Sequence, residues 1–264
     1  MHNFSHFKKG RLPAKPHNES TRLYFQQAFG TVLPPPSLAA DWTGGDKTRP
    51  MYGNDDIGDC TCAEVANSLV STVKVVHGTE LNISTNRVLS MYSAITGFNP
   101  HAPLDANGDN PTDTGANIED VLAWVGKHGF DGHHLLGTVA VDPKDIDNVK
   151  RSIDWFGSVD LGVALPPEWT NDGVTSWNAP PAGTPMTGQW APTDGHSICG
   201  NKYDAGHIYV WTWGELIPVT WAAFSDYFDE VDAVLWDSWI QHGAAPDHLS
   251  YTILENYMRD VAWK

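Results

Sequence analysis

Cys60 and Cys62 stand one residue apart in "YGNDDIGDCTCAEVANSL" (residues 52–69), at the start of a segment with helical periodicity. A thiol at a helix N-terminus feels the positive end of the helix dipole, which favours thiolate, the nucleophilic form. Cys60 belongs to the first turn, and Cys62 points to a different face, so only one of them addresses a given cleft. The competing reading for each is a small buried thiol. A nucleophilic thiol needs a base, and His196 in "GHSICGNKYDAGHIYVWTWGE" (residues 195–215) lies on an apparent strand 136 residues beyond Cys60.

Those two residues must be positioned by different elements. Ala63, Ala66, Leu69, Val70, Val73 and Val76 share one helical face from Cys60 to Gly78, with Asp59 at the N-cap position. Further helices are predicted over Thr85–Thr96, Ile118–His128 and Pro143–Phe156, the last opened by Asp142. Strands are predicted over His134–Val141, Ser158–Leu165, Gly195–Asn201, His207–Trp213 and Glu230–Asp237, with "KYDAG" closing a hairpin. A short helix near Thr220–Tyr227 and a C-terminal helix over Leu249–Val261 complete the reading. Helices first and antiparallel strands later indicate an α+β fold in two lobes. Residues 1–49 are proline-rich and lack periodicity, as an arm laid over a domain would be, with one helical turn at Thr21–Phe29.

The 264 residues carry 32 acidic and 16 basic side chains, a net charge of −16. That balance opposes unassisted binding to nucleic acid or an anionic membrane. Three cysteines do not make a disulfide scaffold, and "MHNFSHFKKGRLPAKP" lacks the apolar core of a signal peptide. The expectation is a cytoplasmic protein, or a virion-associated one if phage-encoded, that needs no cofactor.

Together these stretches resemble the papain-like cysteine peptidases, whose nucleophile and histidine are about 130–150 residues apart. The resemblance runs from about Pro50 to Asp237: "NDDIGDC" ends on the nucleophile, "DTGANIEDVLAWVGKHG" is similar to the glycine-led helix of the first lobe, and "SVDLGVAL" to the strand after the "GPV" turn. "GHSICGNKYD" resembles the strand that carries the base, and "TWG" the tryptophan-glycine pair after it. It implies a domain over 50–237, with a helical lobe to about 130 and a β lobe after it, flanked by the arm and a helical extension over 238–264. It also implies Cys60 as nucleophile, His196 as base and Asn54 in the oxyanion-hole position of the family's glutamine. Of "CGSCW" only Gly58 and Cys60 remain, and the family's triad asparagine is replaced by Trp211, whose indole only donates. Thr212 or a backbone carbonyl is the favoured acceptor for His196, although Thr212 requires a one-residue register shift, and Trp213 is expected to cover that contact. The stretch ahead of Pro50 leaves no room for the long inhibitory prosegment of secreted members.

The implied activity is hydrolysis of a peptide or isopeptide bond in a peptide or protein substrate. The alternatives are acyl transfer through the same thioester and a catalytically degenerate fold kept as a structural or binding protein, for instance in a phage particle.

Weaker patterns point elsewhere. Asp105, Asn107, Asp109 and Asp113 follow calcium-loop spacing, but Asn110 and Ala116 replace the required glycine and acid, so a turn-rich loop is favoured. His133 and His134 enter a strand on opposite faces, which is poor metal geometry. Trp169, Trp177 and Trp190 either line a cleft or pin a long loop.

Overall fold

The computed structural model describes residues 4–16, 23–179 and 195–241. In chain order the elements are β1 (Leu23–Tyr24), α1 (Phe25–Phe29), β2 (Ala40–Asp41), α2 (Cys60–His77), α3 (Thr85–Thr96) and α4 (Ile118–His128). They continue with β3 (Leu135–Ala140), α5 (Ile146–Phe156), β4 (Val159–Ala164), β5 (Gly195–Tyr203), β6 (His207–Thr212) and β7 (Glu215–Thr220). Last come α6 (Trp221–Tyr227), β8 (Phe228–Trp236) and α7 (Ser238–Gln241). The helix expected at Leu249–Val261, and Trp190, lie outside the described residues.

The fold is α+β, with α2–α4 ahead of a sheet of order β1-β3-β8-β4-β5-β6-β7. Every neighbouring pair from β3 to β7 is antiparallel. The arm enters the sheet at two places: β1 pairs in parallel with β3, and β2 pairs antiparallel with β5.

Helix α2 is buried from Cys60 through Val73, on every face. One face meets the apolar core, as its periodicity predicts. The opposite face is polar and docks on the sheet through specific bonds: Ser68 Oγ to Ser158 Oγ at 2.7 Å, Trp236 Nε1 to Ser68 Oγ at 2.9 Å, and Asn201 Nδ2 to Ser71 Oγ at 2.7 Å. Buried polar groups are tolerated only when bonded, so this face fixes the helix rotation against β5, and with it the direction of Cys60.

Helices α3 and α4 keep their expected bounds, closing at Gly97 and Gly129. Helix α5 starts later than expected, because Asp145 caps it by accepting from Asn148 N at 3.1 Å, while Asp142 accepts from Lys144 N at 2.9 Å in the preceding turn. Strand β7 has no sequence counterpart. Pro218 sits within it, which a terminal strand of a sheet permits, and the Pro218 carbonyl accepts from Trp177 N at 2.9 Å. Trp177 is buried and stacks on Trp169 with centroids 5.0 Å apart, so these two tryptophans pin their loop to β7.

Candidate active site

The loop that leads into α2 is set by backbone geometry. Tyr52 and Gly53 take positive φ values of 62° and 103°, and Gly58 N donates to Asp113 Oδ1 and Oδ2 at 3.1 and 3.0 Å. Asp113 also accepts from Tyr92 OH at 2.8 Å, and Tyr92 OH accepts from Gly115 N at 2.8 Å. This chain of bonds joins the loop ahead of Cys60 to the segment ahead of α4. Sequence reasoning assigned Asp113 only to a calcium-like spacing. Asp105 of that spacing accepts from the backbone N–H groups of Asn107 and Asp109 at 2.8 and 3.0 Å, as in a turn.

Cys60 opens α2 and is fully buried, as are the free thiols Cys62 and Cys199. Asp59 occupies the N-cap position, but its φ of −98° and ψ of 18° turn the carboxylate away and no capping bond forms. Burial holds the Asp59 carboxyl well above its ordinary range. The expectation of a thiol activated by the helix end is overturned in this conformation. Burial pushes Cys60 up to about 11, against the backbone N–H groups of Gly10 and Ser197, which pull it down. Desolvation of the thiolate outweighs the dipole.

His196 lies on β5, opposite Val163 of β4. Its Nε2 is 2.9 Å from Thr212 Oγ1 at the end of β6, while its Nδ1 is buried and makes no hydrogen bond among the described residues. Burial pulls the imidazole down to about 3, and the charges of Lys9 and Arg11 push the same way. The ring stacks on Trp213 at 4.3 Å with an interplanar angle of 16°. Trp213 holds a positive φ of 44° at the turn after β6. That turn breaks the strand alternation, which lets Thr212 and Trp213 both reach one imidazole. Trp211 is also buried, and the Arg49 guanidinium lies over its ring at 4.4 Å.

Asn54, Cys60, Glu64, Ser197, Thr212 and Trp213 line one small cleft. Asn54 is buried there, and its Oδ1 makes no hydrogen bond among the described residues. Glu64, one turn after Cys60, accepts from Ser197 Oγ and is held well above its ordinary range by burial and by Asp160.

The start of the arm lies across this cleft. Phe4 stacks on Trp213 at 4.9 Å, so the indole is sandwiched between Phe4 and His196. Gly10 O accepts from Ala116 N at 2.9 Å, Leu12 N donates to Ala116 O at 2.9 Å, and Arg11 N donates to Gly195 O at 3.1 Å. The sequence predicts an arm laid over a domain, with no room for a long inhibitory prosegment, but nothing local in it signals the pairings with Ala116 and Gly195.

No family model and no curated protein matches the sequence. Solved structures do match. Xylellain, a cysteine protease from Xylella fastidiosa, superposes with a TM-score of 0.63 at 13% identity, covering 87% of this chain and 96% of that one. Digestive procathepsin L 3 of Tenebrio molitor larval midgut superposes with a TM-score of 0.55 at 10% identity, covering 88% and 77%. With the helical lobe, the antiparallel sheet and the cleft between them in place, the chain has the fold of the papain-like cysteine proteases.

Proposed function

We propose that the chain hydrolyses a peptide or isopeptide bond, with Cys60 as nucleophile and His196 as base. The observation that supports this most is the state of the His196 ring. Nε2 lies 2.9 Å from Thr212 Oγ1, and in the tautomer that donates from Nε2 to this hydroxyl the Nδ1 lone pair is left buried, with no hydrogen bond among the described residues. Thr212 thus takes the role of the family's asparagine, and Trp213 shields the contact from water.

In the reaction, Nδ1 takes the Cys60 proton and the thiolate attacks the carbonyl carbon. The Cys60 N–H and the Asn54 amide, rotated to present its nitrogen, face the oxyanion. His196 returns the proton to the leaving amine. Water, deprotonated by the same nitrogen, then cleaves the thioester and frees the acid. The fully buried thiol and neutral imidazole describe a closed resting state, because the arm must leave before a substrate carbonyl reaches Cys60.

The test is release of fragments from a mixed peptide library by the full chain and by Cys60→Ala. Cleavage that Cys60→Ala abolishes supports the reading, and cleavage unaffected by that change refutes it.

A further inference from the structure

On the side of the sheet that meets α2, the strands carry a row of buried acids. Asp160 of β4 stands opposite Cys199 of β5 and Asp232 of β8, and Gly162 stands opposite Ser197 and Glu230. Cross-strand partners and alternate residues share a face, so Ser197, Cys199, Asp160, Glu230 and Asp232 lie together, all buried. Glu64 of α2 reaches into this row. Ser197 Oγ donates to its Oε2, and its carboxyl meets that of Asp160. The arginines at either end are engaged, Arg11 with Asp229 and Glu230, and Arg49 with Asp46, Asn67 O and Ser71 Oγ.

Neither oxygen of Asp160 accepts from an N–H or a hydroxyl among the described residues. Two carboxyls in contact in a dry interior hold a proton between them, because two bare carboxylates there repel without compensation. Burial raises both, Asp160 to about 7 and Glu64 well above its ordinary range. Glu64 is thus the acid of the pair, with an O–H for Asp160 and an oxygen for Ser197.

Buried polar groups that find partners most often serve the fold alone. The place of Glu64 gives it a further task. It lies one turn after Cys60 on the same face of α2, and both line the cleft. Ser197 directly follows His196 on β5, and its backbone N–H is on the Cys60 thiol, where it favours the thiolate. The bond between Glu64 and Ser197 therefore crosses from the helix of the nucleophile to the strand of the base.

We infer that Glu64 is a positioning residue that clasps α2 to β5 and holds the Ser197 N–H on the Cys60 sulfur. The inference rests on the proposed Cys60–His196 chemistry for its effect on turnover, whereas the clasp itself is read on the thiol. A carboxylic acid and an amide offer the same two groups here, one donor and one acceptor. Glu64→Gln therefore keeps the clasp. Glu64→Leu keeps much of the bulk and loses both bonds.

The test measures, on the full chain, the rate of Cys60 alkylation by iodoacetamide at pH 8, followed by peptide mapping, and kcat and KM on a cleaved library peptide. Glu64→Gln is expected to stay within about threefold of the wild type in all three. Glu64→Leu is expected to lower both the alkylation rate and kcat by about tenfold or more, with KM within about threefold. Should Glu64→Leu fail to fold, Ser197→Ala breaks the clasp from the strand with a smaller change and is expected to lower the same two rates. A Glu64→Leu or Ser197→Ala chain as reactive as the wild type, or a Glu64→Gln chain as impaired as Glu64→Leu, overturns the clasp. Alkylation in the expected order with no peptide cleaved refutes the hydrolase and keeps the clasp, whereas cleavage at the wild-type rate by every variant does the reverse.

Discussion

A single hydroxyl, that of Thr212, lies within hydrogen-bond distance of the His196 imidazole. Thr212→Val removes the hydroxyl 2.9 Å from Nε2 while keeping the shape of the side chain. Turnover is expected to fall about tenfold or less, about 1.4 kcal/mol in the barrier, because Trp213 still holds the ring. Cys60→Ala leaves none. Steady-state kinetics of the two variants check this; a Thr212→Val loss as complete as that of Cys60→Ala would mean the hydroxyl does more than orient. Asn54→Ala should lower kcat by roughly a hundredfold with little change in KM, the pattern of a donor used only in the transition state. An unchanged kcat would exclude Asn54 from the oxyanion site. Order, spacing and local context single out Cys60 and His196 in the sequence as candidates, and the structure puts the first at the start of α2 and the second on β5. Thr212 was one of two acceptors left open, with a backbone carbonyl, once Trp211 offered only a donor, and its access to His196 depends on the positive φ of Trp213, which no residue type announces. The raised Cys60 thiol was illegible for a different reason. Burial by a distant segment determined it, and the helix dipole that sequence does reveal was the weaker effect.

At the scale of elements, the arm and the first turn of α2 act on each other. Phe4 and Phe7 pack on Trp213, and Gly10 fits against Gly58 so closely that a Cβ on Gly10 would come 1.9 Å from Gly58 O. Loosening the arm should therefore expose Cys60 alone. Arg11→Ala is expected to raise the rate of Cys60 alkylation by iodoacetamide at pH 8 by tenfold or more, with Cys62 and Cys199 unchanged. Peptide mapping over time checks it, and a rate equal to that of the wild type would show that the arm does not gate the thiol. Helices α3 and α4 were readable to the residue because local capping sets their ends. The arm was not, because its partners Ala116, Gly195 and Glu230 are remote in sequence. The polar face of α2 was equally hidden, since Glu64, Asn67, Ser68 and Ser71 read as solvated residues until the sheet covers them.

For the molecule as a whole, buried acids set the response to pH. Asp160 is raised by burial to about 7 from 3.8, and its neighbour Glu64 is held well above its ordinary value. The folded chain keeps a proton that the unfolded chain releases near pH 4, so this contribution is full below that value and lost as pH rises through about 7. His196 works in the opposite direction: with 6.5 as its ordinary value and about 3 when folded, its contribution is full above 6.5 and lost toward 3. Glu64→Gln removes the Glu64 part of the first effect and leaves the buried Asp160 and the His196 effect in place. Its Tm should match that of the wild type near pH 4 and exceed it increasingly up to pH 8. Thermal unfolding across that range decides, and a difference independent of pH would contradict a raised Glu64 carboxyl. The central claim, that this fold carries a working Cys60–His196 pair, is tested most directly by mass spectrometry of the intact chain after incubation with an epoxide probe for cysteine peptidases. The account predicts one adduct, mapped to Cys60, faster in Arg11→Ala and absent in His196→Ala. A folded Arg11→Ala chain that takes no adduct at Cys60, or labels all three thiols alike, would contradict it.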